Sequence, residues 1–124
     1  MPIYKIKAFS KWAKSEGMSD ENIAQAVQEM NNGLFEANLG GNLYKKRVAT
    51  GGGGKRGGFR TLLAFKSDEK AFFLYEFKKN ARSNISDKEA VALKAMAKEL
   101  LGYSPDKLKD AVDAGELIEV KGNG

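Results

Sequence analysis

The chain is 124 residues long, carries 21 Lys and Arg against 16 Asp and Glu for a net charge of +5, and contains neither cysteine nor histidine. That length builds one domain, 1–124, around an ordinary core. The two missing residue types exclude disulfides, thiol nucleophiles, the commonest general base and the commonest metal ligand, so no zinc site is expected.

No apolar run approaches the ~20 residues of a membrane span, and no apolar leader opens the sequence, so the expectation is a cytoplasmic protein with no membrane partner. The charge is concentrated. From Lys45 to Arg82 there are eleven Lys and Arg against three Asp and Glu, a net of +8, while the remainder carries ten against thirteen, a net of −3. A basic segment in a mildly acidic scaffold is the footprint of a polyanion-binding face, because phosphate contacts supply most sequence-independent affinity for nucleic acid.

In chain order, Ile3 to Lys7 alternate as a short strand. Phe9, Trp12 and Ala13 then recur at helical spacing up to Gly17, which assigns Trp12 to the core. Ser19, Asp20 and Glu21 form an N-cap and acidic first turn for a second helix, with Ile23, Ala26, Val27 and Met30 as its apolar stripe and Asn31-Asn32-Gly33 as its stop. Gly40-Gly41-Asn42 turns the chain into three strand-like runs, Leu43 to Ala49, Phe59 to Phe65 and Ala71 to Phe77, an antiparallel meander.

Side chains alternate along a strand. Leu43, Lys45 and Arg47 therefore share one face, with Tyr44, Lys46 and Val48 on the other, where the Lys46 stem snorkels along apolar surface. Arg60, Leu62 and Ala64 oppose Phe59, Thr61, Leu63 and Phe65. In the third run Phe72, Leu74 and Glu76 oppose Phe73, Tyr75 and Phe77, which draws Tyr75 towards burial.

Between the first two runs lies Gly51-Gly-Gly-Gly-Lys55-Arg56-Gly-Gly58. Its glycines permit close approach of the backbone to a ligand, and its two cations suit a phosphate. It lacks the P-loop pattern, since Arg56 stands where Ser or Thr would bind magnesium. After Lys78-Lys79-Asn80-Ala81-Arg82, a capping box of Ser86 and Glu89 opens a helix with Ala90, Leu93, Met96, Ala97, Leu100 and Leu101 on one face, ended by Gly102. Ser104-Pro105 begins a short last helix, and Leu117 to Val120 can pair as a strand. The predicted class is α+β: a small antiparallel sheet, made of a short N-terminal strand plus the meander, packed with two N-terminal helices and a C-terminal helix. Residues 103–124 form a short extension.

The order of these elements, together with L-Y-K-K-R-V-A (Leu43 to Ala49), G-K-R-G-G-F-R-T-L-L-A (Gly54 to Ala64), F-x-K-N (Phe77 to Asn80), N-I-S-D-K-E (Asn84 to Glu89) and W-A-K-S-E-G-M-S-D (Trp12 to Asp20), resembles the RelE/HigB superfamily of type II toxin–antitoxin toxins. The resemblance points to its HigB-like, phage-derived branch and covers nearly the whole chain. It implies a RelE-like fold and a toxin that acts as a ribosome-dependent mRNA endonuclease without cofactor. It also implies a cognate antitoxin of helix-turn-helix type, and a complex of the two that binds operator DNA. Relatives commonly carry an acid after the Lys-Asn pair, where this chain has Ala81.

RNA cleavage of this kind needs charge stabilisation at phosphorus and protonation of the leaving 5′-oxygen. Without histidine the cations carry that load. Arg47 and Arg60 are assigned to the phosphate, Lys55 and Lys79 to proton transfer or charge stabilisation, and Lys45, Arg56, Tyr75 and Asn80 to RNA contacts, with Glu76 an open choice of base. Two other readings stay open: a non-catalytic nucleic-acid-binding module, and a toxin of the same fold aimed at a non-RNA target such as gyrase.

Overall fold

A computed structural model describes residues 1–49, 58–78 and 84–121. Its helices start where local capping chemistry dictates. Ser19 accepts the backbone N–H of Asn22 and Asn22 accepts that of Ser19 at the head of α2 (Asp20–Asn31). Ser86 and Glu89 make the same reciprocal pair before α3 (Asp87–Leu101). Ser104 caps α4 (Pro105–Asp113), with Pro105 in the first turn where its missing N–H costs nothing. The first helix, α1 (Lys7–Ser15), has no side-chain cap and follows directly from strand β1 (Ile3–Ile6).

The other strands are β2 (Ala37–Gly40), β3 (Leu43–Val48), β4 (Phe59–Lys66), β5 (Lys70–Lys78) and β6 (Leu117–Glu119). The three meander strands pair antiparallel, as their sequence pattern requires. The sheet is nevertheless larger than the expected one and mixed, with six strands among the described residues in the order β2-β3-β4-β5-β1-β6. Strand β1 inserts between β5 and β6, parallel to the first and antiparallel to the second. Strand β2, Ala-Asn-Leu-Gly, carries no strand signal of its own. It exists because a tight turn folds it back onto β3, and Gly40, Gly41 and Asn42 in that turn all adopt positive φ.

Apolar residues cover both faces of the sheet. On one side α1 and α2 pack Phe9, Ile23, Val27 and Met30 against Val48, Phe59, Leu63 and Phe73. On the other, α3 and α4 bring Leu93, Ala97, Leu100 and Ala111 onto Leu43, Leu62, Phe72 and Leu74. Trp12 meets Phe59 edge-on at 4.7 Å between ring centroids, a core contact as its spacing with Phe9 implies. Strand β4 is buried on both faces, so its apolar run is longer than simple alternation allows.

One local irregularity changes the reading of β5. Leu62 pairs with Tyr75 while Leu63 pairs with Phe73, which leaves Leu74 as an extra residue in a β-bulge. Alternation therefore resets at Leu74. Phe73 faces α1 and α2, whereas Leu74, Tyr75 and Phe77 pack with the α3 side. The expected grouping of Phe73, Tyr75 and Phe77 on a single face is overturned, and so is that of Glu76 with Phe72 and Leu74.

Candidate nucleic-acid interface

The bulge assembles the site. Beyond it, cross-strand register aligns Lys45, Leu62 and Tyr75 in one row and Arg47, Arg60 and Phe77 in the next, on the α3 side of the sheet. Without the extra residue Tyr75 would project to the far side. Four of the sequence-predicted residues, Lys45, Arg47, Arg60 and Tyr75, thus share one end of one face.

Arg47 and Arg60 are direct cross-strand partners. Like charges placed opposite each other in this way are destabilising. Part of that repulsion is offset by Glu36, whose Oε2 lies 3.1 Å from Arg60 Nη2, and only 11% of the Arg60 side chain is exposed. Glu36 is held in turn by its backbone N–H, which donates to the Lys45 carbonyl at 2.9 Å. The Tyr75 hydroxyl donates to Glu89 Oε2 at 2.8 Å, while Glu89 Oε1 accepts the Ser86 N–H. One carboxylate therefore closes the cap of α3 and fixes the Tyr75 ring.

Two fork-shaped guanidiniums on adjacent strands suit the non-bridging oxygens of one phosphate, because each offers parallel N–H donors in a fixed plane. The Tyr75 ring, half-buried and tethered through its hydroxyl, limits the adjacent surface.

The opposite face at the same end has a different character. Lys46, Thr61 and Glu76 form a row there by register. Lys46 is 7% exposed and ends 2.7 Å from Glu29 Oε1, so its ammonium meets a carboxylate instead of snorkelling to water. Thr61 donates its hydroxyl to the Lys46 carbonyl at 2.8 Å. Burial pushes the Glu76 carboxyl up to about 7. That shift matches a proton-exchanging group, but the bulge turns Glu76 away from the face that carries the arginines, and this separates it from any base role there.

Lys55, Arg56, Lys79 and Asn80, the other predicted site residues, lie outside the described residues. Glu36 and Glu89 were not read from sequence as members of the site. Glu36 follows an irregular Leu34-Phe35 stretch and carries no motif, whereas Glu89 was visible, but only as a capping residue. Among the described residues no group of three or more potential metal-ligating side chains comes together, and no helix is long and apolar enough to cross a membrane.

The sequence model of the family described as the RelE toxin of the RelE/RelB toxin–antitoxin system matches residues 1–120. No curated protein matches the chain significantly.

Proposed function

The chain belongs to the RelE toxin family, and on that premise we propose that it is a ribosome-dependent mRNA endonuclease that needs no metal. The observation that carries this reading is the cross-strand pair Arg47 and Arg60 beside Lys45 and Tyr75. Two cations set against each other at a cost make physical sense where an anion is to be received.

The 2′-hydroxyl attacks the adjacent phosphorus in line, the P–O5′ bond breaks, and the products are a 2′,3′-cyclic phosphate and a 5′-hydroxyl. Arg47 and Arg60 bind the non-bridging oxygens as charge builds on them, and losing one such preorganised donor costs ~10²-fold or more in rate. Lys55 and Lys79 handle the proton leaving the 2′-oxygen and the proton taken up by the 5′-oxygen. Lys45, Arg56, Tyr75 and Asn80 hold the RNA around the scissile link. The ribosome supplies orientation by fixing the message, which lets a site without histidine work at a useful rate.

RelE toxins act within toxin–antitoxin pairs. We assign this chain a cognate antitoxin of helix-turn-helix type in the cytoplasm, and to the pair an operator DNA that it represses.

Tightly induced expression of the wild type beside Arg47→Ala/Arg60→Ala tests the proposal, with growth followed and mRNA 5′ ends mapped. Growth arrest with cuts inside translated regions, lost in the variant, is the expected result. Normal growth and intact mRNA from soluble, folded wild type overturn it.

A further inference from the structure

At the other end of the same face lies a cleft of about 550 Å³ between the β2–β3 turn and α3, lined by Gly41, Asn42, Lys66, Lys94, Lys98 and Leu101 among others. Its lining contains three lysines and no carboxylate. Lys94 and Lys98 stand one helical turn apart, where like charges repel, and the residues three and four positions from each of them include no acid. Among the described residues no carboxylate lies within salt-bridge distance of either, and Lys66 has only the exposed Glu69 at 3.7 Å. The Lys94 side chain lies along the turn, its nearest carbon 3.7 Å from where a Cβ on Gly41 would stand, an ordinary packing distance. The positive φ of Gly40, Gly41 and Asn42 holds that turn in place.

We propose that this lysine cleft is a second RNA-binding site, which takes backbone phosphates at a distance from the arginine pair. Lys66 follows Arg60 by six residues on one strand, a separation of about 20 Å, so the two sites engage different phosphates. The inference rests on the reading of the protein as one that acts on RNA. It adds an anchoring surface that takes no part in the chemistry. Lysines suit this task because an ammonium holds a phosphate as a point charge without demanding one geometry.

The test compares the full-length wild type with Lys94→Gln/Lys98→Gln, both checked for folding by thermal melts. Each is titrated with a 2′-O-methyl RNA of about thirty nucleotides, which cannot be cleaved, over a series of salt concentrations. Two lost phosphate contacts are expected to weaken binding at low salt and to flatten the slope of log K against log salt by about 1.4. An unchanged affinity and slope overturn the proposal, as does a wild type that binds no RNA. Unchanged RNA binding with weakened binding of the purified antitoxin also overturns it, and reassigns the cleft to a protein partner. Because this RNA cannot be cut, lysine-dependent binding together with the absence of mRNA cleavage in cells would sink the nuclease reading alone.

Discussion

The two faces of the sheet carry similar apolar cores and opposite treatments of charge. Under α1 and α2, buried cations meet dedicated carboxylates: Lys46 with Glu29 at 2.7 Å and Lys5 with Asp20 at 2.9 Å. Burial pushes the Asp20 carboxyl up, but the hydrogen bond from the Lys121 N–H together with Lys5 outweighs it and holds the group below its ordinary range. On the α3 side Arg47 and Arg60 oppose each other with Glu36 on Arg60, and farther along Lys94 and Lys98 stand together. Removing one partner of a buried ion pair leaves the other charge uncompensated, whereas cations grouped on one face raise the local positive potential.

The largest effect expected within this comparison tests whether the cores are equivalent. Phe72 and Phe73 are neighbours in sequence, both fully buried, one in each core. Phe72→Ala and Phe73→Ala should each cost about 3–5 kcal/mol, read from urea unfolding. A difference of more than about 2 kcal/mol between them would mean that one layer contributes far less than the other.

A sharper contrast sets Lys46→Met against Arg47→Gln. The first leaves the Glu29 carboxylate without its lysine and should cost about 1–3 kcal/mol of stability. The second trims one of the two opposed guanidiniums, so the proposed cleavage of ribosome-bound mRNA should fall ~10²-fold with a smaller loss of stability than Lys46→Met. If the two variants lose stability equally, the division into structural and functional charge fails.

The smallest expected effect is a pH dependence on the α1/α2 face. Burial raises the Glu76 carboxyl from 4.5 to about 7, so the folded protein holds this proton more tightly than the unfolded chain. The folded state then bears no penalty below pH 4.5 and loses stability as pH rises from there to about 7. Glu76→Gln should remove about 1–2 kcal/mol of that decline, given the solvent that still reaches a half-buried carboxyl. Urea midpoints compared at pH 4.5 and 7.5 measure it, and identical pH profiles for the two proteins would show that Glu76 titrates normally.

The helices were legible because their signals are local. Ser19, Ser86 and Ser104 cap as their neighbours dictate, and the stripe of Leu93, Ala97 and Leu100 repeats at helical spacing. Strands β3 and β4 were legible in the same way, including the shared face of Lys45 and Arg47 and the opposite face of Lys46. The alternation of β5 misled after Leu74, because no residue type there marks the bulge, and it sent Tyr75 and Glu76 to the wrong sides. Strand β2 was missed because Ala37 to Gly40 has no β-branched or aromatic residue, and its pairing comes entirely from β3.

Charge segregation, helix ends and the clustering of cations can be read along the chain, since composition, caps and period are properties of neighbouring residues. Which of those cations meet each other and which meet acids depends on the folded arrangement. Arg47 faces Arg60 through register, Glu36 reaches Arg60 through a paired strand that has no signal of its own, and the bulge at Leu74 chooses the face of Tyr75. Register and bulges are settled by the packing of both faces at once, and no local stretch of sequence carries that information.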